Sequence, residues 1–83
     1  MDWIDGLADE LMLDRPSSHE TEHLLQSARD VAHRIERRAT PLAMYLLGVA
    51  AGRASGEGQP RDDALDEAIH TLLLRLPEAA SDG

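Results

Sequence analysis

The chain has 83 residues and a mass of 9.1 kDa, the size of one small domain, and its lack of cysteine excludes disulfides, thiolate metal sites and cysteine nucleophiles. A net charge of −8 and only two aromatic residues, Trp3 and Tyr45, exclude a nucleic-acid surface, which needs accumulated cations and stacking platforms. No apolar run reaches the ~18 residues of a membrane span and the acidic start Met1-Asp2-Trp3 does not fit a signal peptide, so a cytoplasmic domain with no membrane contact is expected.

The pattern of apolar residues, caps and breakers predicts four helices. The first runs from Asp2 to Leu13, with Trp3, Ile4, Leu7, Ala8 and Leu11 on one face. Pro16 interrupts it, because the residue before a proline is pushed out of the helical region. Ser17 and Glu20 have the spacing of a capping box and open a second helix that is expected to run to Arg38. Its inward stripe is Leu24, Leu25, Ala28, Val31, Ala32 and Ile35. Thr40 is the expected cap of a third helix, with Pro41 at its first position.

That third helix, to Ala54, has side-chain polarity only at Tyr45 and Arg53 among its main body. Apolar and small residues all round the axis predict a helix enclosed by neighbours. Leu42, Leu46 and Val49 are expected in the core, with Met44, Leu47 and Leu74 off the main stripes. Gly48 and Gly52 are expected where another backbone comes close. The loop Ser55–Pro60 leads to a fourth helix, Arg61 to Leu76, burying Leu65, Ile69, Leu72, Leu73 and Leu76. The fold expected is all-α, a single four-helix bundle-like domain over residues 1–77 with a buried third helix. Residues 78–83 are expected to be a frayed tail.

His19-Glu20-Thr21-Glu22-His23 has the H-E-x-x-H pattern of zinc proteases, in which two histidines on one helical face hold the metal and the glutamate acts as base. A capping role accounts for Glu20, and the next histidine, His33, lies about 15 Å further along the helix. The only other third ligand in view is the distant His70. His19 and His23 are therefore weak metal candidates; neither a catalytic residue nor a bound cofactor is expected.

Charge is placed unevenly. Residues 1–22 carry −6, residues 23–54 carry +3 and residues 55–83 carry −5. Every basic residue is arginine, the side chain suited to bidentate recognition of phosphate and carboxylate. The middle segment presents Arg29, His33, Arg34 and Arg37 away from the apolar stripe, with Arg53 further on. This face either pairs internally, as Asp30–Arg34, or meets an anionic partner.

The run Arg29-Asp30-Val31-Ala32-His33-Arg34-Ile35-Glu36-Arg37-Arg38-Ala39-Thr40-Pro41-Leu42, with Leu47-Gly48-Val49-Ala50-Ala51-Gly52-Arg53, resembles a small uncharacterised bacterial helical family. Members occur alone or fused to the molybdopterin-guanine dinucleotide nucleotidyltransferase. The opening Met1–Asp5 and the close at Leu76-Pro77 extend the resemblance over most of the chain. It implies a non-catalytic accessory or adaptor role in molybdenum-cofactor biosynthesis, with that nucleotidyltransferase as partner. Arg29, His33, Arg34, Arg37 and Arg53 would then meet an acidic surface or dinucleotide phosphates. The alternative is a self-associating module, a homodimer formed through the Gly48/Gly52 side or Leu74, with a small zinc hydrolase a third reading.

Overall fold

Caps and turns divide the chain into four helices in a computed structural model that describes residues 1–78. They are α1 (Asp2–Glu10), α2 (Ser18–Arg34), α3 (Ala39–Gly56) and α4 (Arg61–Arg75), with no strand among the described residues. The all-α four-helix domain expected from the sequence is what forms. Glu78, the first residue of the expected tail, is exposed and outside any helix; the rest of that tail lies outside the described residues. No helix of the described residues is long and apolar enough to cross a membrane.

Several boundaries differ from expectation. Helix α1 ends at Glu10 rather than Leu13, because Met12 adopts a left-handed conformation with φ of 60°. The Met12 amide then donates to the Asp9 carbonyl and the Leu13 amide to the Ala8 carbonyl, satisfying acceptors that the helix end leaves open. Helix α3 closes in the same way on Gly58, whose φ is 106°, through Gly58 to Ser55 and Gln59 to Ala54.

Helix α2 stops at Arg34, not Arg38. Ile35 leaves helical geometry, and Glu36–Arg38 make the turn that folds α3 back against α2. Helix α3 consequently starts at Ala39, with Arg38 as an N-cap that makes no side-chain cap bond. Thr40 is inside the first turn instead of capping it, and its hydroxyl is buried without a partner. Pro41 is tolerated there because first-turn amides have no acceptor within the helix.

The core is a small cluster. Leu47 of α3 meets Leu65 and Ile69 of α4, with Leu24, Met44, Ala51, Ala68 and Leu72 packed around them. Val31 and Ser27 of α2 are the most completely enclosed side chains. The Ser27 hydroxyl donates to the Leu24 carbonyl at 3.0 Å, which satisfies it inside the α2–α3 contact.

The third helix is enclosed on one side only. Leu46 is 64% exposed and Leu42 67%, with Tyr45 and Val49 also open, whereas Leu47 is 6% exposed. The expected assignment of Leu42, Leu46 and Val49 to the core, with Met44 and Leu47 off it, is thus reversed. An apolar helix is enclosed all round only if neighbours cover every side. Here α2 and α4 cover one side, and no Cα of α1 comes within 8 Å of a Cα in another helix. Leu25 of α2, Ile35 just past its end and Leu73 of α4 are exposed rather than inward, and Leu74 is open as well.

Candidate metal-binding cluster and basic corner

Helix α2 begins with a complete capping box. The Ser17 hydroxyl accepts from the Glu20 amide at 3.0 Å, and Glu20 Oε1 accepts from the Ser17 amide at 2.8 Å. This fixes the first turn, so His19 and His23, four residues apart, share one face. Their ring centroids are 4.1 Å apart and the planes are inclined by 39°.

Both rings turn toward Asp66 in the second turn of α4. His19 Nε2 lies 3.0 and 3.1 Å from the two Asp66 oxygens, and His23 Nδ1 lies 3.2 Å from Oδ1. All three side chains are a little over two-fifths exposed. The hydrogen bond to Asp66 raises the His19 pKa above its ordinary value, against desolvation and with help from the charges of Asp66, Asp62 and Glu20. The side chain that converges on the two histidines is therefore Asp66, not His70. Adjacent acids at the start of a helix are explained by the helix dipole alone, so nothing local marked it.

Glu20 faces the other way. Its side chain is buried, and Oε2 accepts from Arg61 Nε at 2.6 Å. Burial alone would raise its pKa, but the Ser17 amide and Arg61 outweigh that and hold it below the ordinary value. Both carboxylate oxygens are engaged, so Glu20 is not placed as the general base of an H-E-x-x-H centre. Arg61 also donates to the Asp14 carbonyl at 3.1 Å and lies 3.5 Å from the Asp14 carboxylate. It thereby ties the start of α4 to the start of α2 and to the link from α1.

The basic residues gather where α2 turns into α3. Arg29, His33 and Arg37 are exposed and Arg34 half-buried. Arg29 donates to Gln26 at 2.9 Å, and Gln26 in turn donates to Asp30 at 3.2 Å. Asp30 is thus satisfied by Gln26, not by Arg34. Among the described residues no carboxylate lies within 4.0 Å of Arg29, Arg34, Arg37, Arg38 or Arg53. Arg53 is apart from the others: it sits in the last turn of α3, about 20 Å along the helix from Ala39.

A groove of about 700 Å³ runs between α2, α3 and the link from α1. Leu24, Leu25, Ala28 and Met44 line it beside Gly48 and Gly52. A side-chain carbon at either glycine would meet nothing within 4 Å. Among the described residues the close backbone approach expected there is absent, because α1 does not reach α3.

The chain belongs to the family described as a domain of unknown function, DUF6457, whose pattern matches residues 1–82. No curated protein and no solved structure matches it.

Proposed function

We propose that this DUF6457 domain is a non-catalytic, cytoplasmic accessory or adaptor that meets an anionic partner through Arg29, His33, Arg34 and Arg37. The observation that carries this reading is that, among the described residues, no carboxylate pairs with the arginines at the α2–α3 corner. Acidic residues outnumber basic ones two to one in this chain, and Arg15 and Arg61 are both paired. Cations left without carboxylates in such surroundings are available for charge-assisted, bidentate bonds to another molecule. Arg53, at the far end of α3, would join only a partner long enough to follow that helix.

The resemblance of residues 29–53 to chains fused to the molybdopterin-guanine dinucleotide nucleotidyltransferase supports that enzyme, or its nucleotide, as the partner. Isothermal titration against each is the test. The reading expects binding that weakens with added salt and is lost in Arg34→Glu/Arg37→Glu while helicity is kept. Binding to neither, or binding indifferent to the double reversal, refutes it.

One observation favours a second reading, a homodimer through α3. Leu42, Tyr45, Leu46 and Val49 follow helical spacing and are exposed together. The accessible surface is 6408 Å², against roughly 4,900 Å² for a folded monomer of this mass. The surplus exceeds the roughly 800 Å² each partner gives to a standard interface. Sedimentation equilibrium of the native chain and of Leu46→Asp separates the readings: a dimer that the variant dissolves favours self-association.

A further inference from the structure

We propose that His19, His23 and Asp66 form a binding site for one divalent transition-metal ion of the zinc type, clamping the first two turns of α2 to the second turn of α4. The three ligand atoms all lie within 4.8 Å of one another. Zinc holds imidazole nitrogen and carboxylate oxygen at about 2.0–2.1 Å, which puts neighbouring ligand atoms of a tetrahedron about 3.3 Å apart. The observed separations from Asp66 Oδ1 are 3.0 Å to His19 Nε2 and 3.2 Å to His23 Nδ1. Two edges of the tetrahedron are thus nearly in place.

The chemistry of the cluster points the same way. Two imidazole nitrogens converge on a single carboxylate oxygen, with their rings in contact. Each imidazole nitrogen has a lone pair available for a cation when its ring carries the proton on the other nitrogen. A dication held by two neutral imidazoles and one carboxylate would use all three of these converging groups at once. Two nitrogens and one oxygen suit zinc, cobalt or nickel rather than magnesium or calcium, which prefer oxygen shells. Asp62 and Glu20 add negative potential around the site.

The scaffold is prepared independently of the metal. The Ser17–Glu20 capping box fixes the histidine-bearing turn, and Arg61 bonded to Glu20 fixes α4 against it. Half-exposure of the ligands leaves the fourth position to water or to a group from another molecule. With Glu20 turned away and engaged, the ion acts as a clamp between helices rather than as a hydrolytic centre.

The test is titration of the full chain with Zn²⁺ by calorimetry and with Co²⁺ by visible absorption. The expected result is one ion per chain and the ligand-field bands of a four-coordinate cobalt site. Asp66→Asn and His23→Ala should each weaken Zn²⁺ binding by about a hundredfold or more, the upper end of what even an outer-sphere partner contributes. His70→Ala, one turn beyond Asp66 and outside the cluster, should leave it unchanged. Zn²⁺ should raise the Tm of the native chain and not that of the two ligand variants. Absence of one-to-one binding overturns the proposal. So does affinity that survives His23→Ala, or that falls equally in His70→Ala.

Discussion

Arg61 Nε lies 2.6 Å from Glu20 Oε2, joining the first residue of α4 to the third residue of α2 across 41 positions of sequence. The carboxylate is buried and the guanidinium is 42% exposed at its side chain. Removing the arginine therefore leaves a largely buried carboxylate with only the Ser17 amide as partner. Arg61→Ala is expected to destabilise the domain by about 1.5–3 kcal/mol. Glu20→Gln, which keeps the capping box, should cost less. Urea unfolding of both variants and of the double variant measures the coupling; additive losses would contradict it.

The same contact sets an acid limit. Glu20 has a folded pKa below its ordinary value of 4.5. Its contribution is therefore complete above that value and is lost as pH falls through the folded pKa. Stability measured from pH 6 downward should decline more steeply in the native chain than in Glu20→Gln. Parallel curves would show that another carboxyl dominates acid unfolding.

Leu46 and Leu47 are neighbours in sequence with opposite surroundings. Leu47→Ala should cost about 2–5 kcal/mol, as a truncation in a packed cluster does. Leu46→Asp should change the stability of the isolated monomer by less than about 1 kcal/mol. Thermal unfolding at low protein concentration distinguishes the two, and a large loss for Leu46→Asp would restore the enclosed third helix.

Met12 occupies the left-handed position that closes α1, where glycine carries no steric penalty. Its side chain is 91% exposed, so little packing is at stake. Met12→Gly is expected to stabilise the native state by up to about 1 kcal/mol. A lowered Tm would mean that the methionine contributes contacts across the groove it borders.

Thr40 buries a hydroxyl without a hydrogen-bond partner. Thr40→Val keeps the shape and removes the unsatisfied group, for an expected gain of about 1 kcal/mol. Denaturant unfolding reads it directly, and a loss would reveal a bond made through water.

Local signals made much of this architecture legible. Ser17 and Glu20 announced the start of α2 because a capping box is written in four consecutive residues, and Pro60 and Pro77 bracketed α4. The stop of α2 at Arg34 was hidden, since Glu36, Arg37 and Arg38 are all good helix formers and only the reversal of α3 ends the helix. The buried side of α3 was hidden for a different reason. A helix apolar on every side has no amphipathic direction, so Leu46 and Leu47 look alike until neighbours are placed. Asp66 escaped because it joins His23 across 43 positions, through the docking of α4 on α2. The arginines of the corner were visible, but not their lack of partners, because Gln26 takes the carboxylate that Arg34 was expected to use.

The link between α1 and the bundle has a consequence for motion. Helix α1 is braced by its own exit loop, through the paired bonds of Arg15 to Asp9 at 2.7 and 3.1 Å and the Leu13 to Ala8 amide bond. That loop is fastened to the bundle where Arg61 grips Asp14. The segment before Asp14 lies beside α2 across a small cleft between Ile4 and Asp5 on one side and Thr21 and Leu24 on the other, with Met12 and Leu13 on the rim of the groove. Its smallest excursion needs neither the core nor α4 to open. Amide protons of α1 should therefore exchange with solvent by local release, far sooner than those of Val31, Leu47 and Ile69, which await global unfolding.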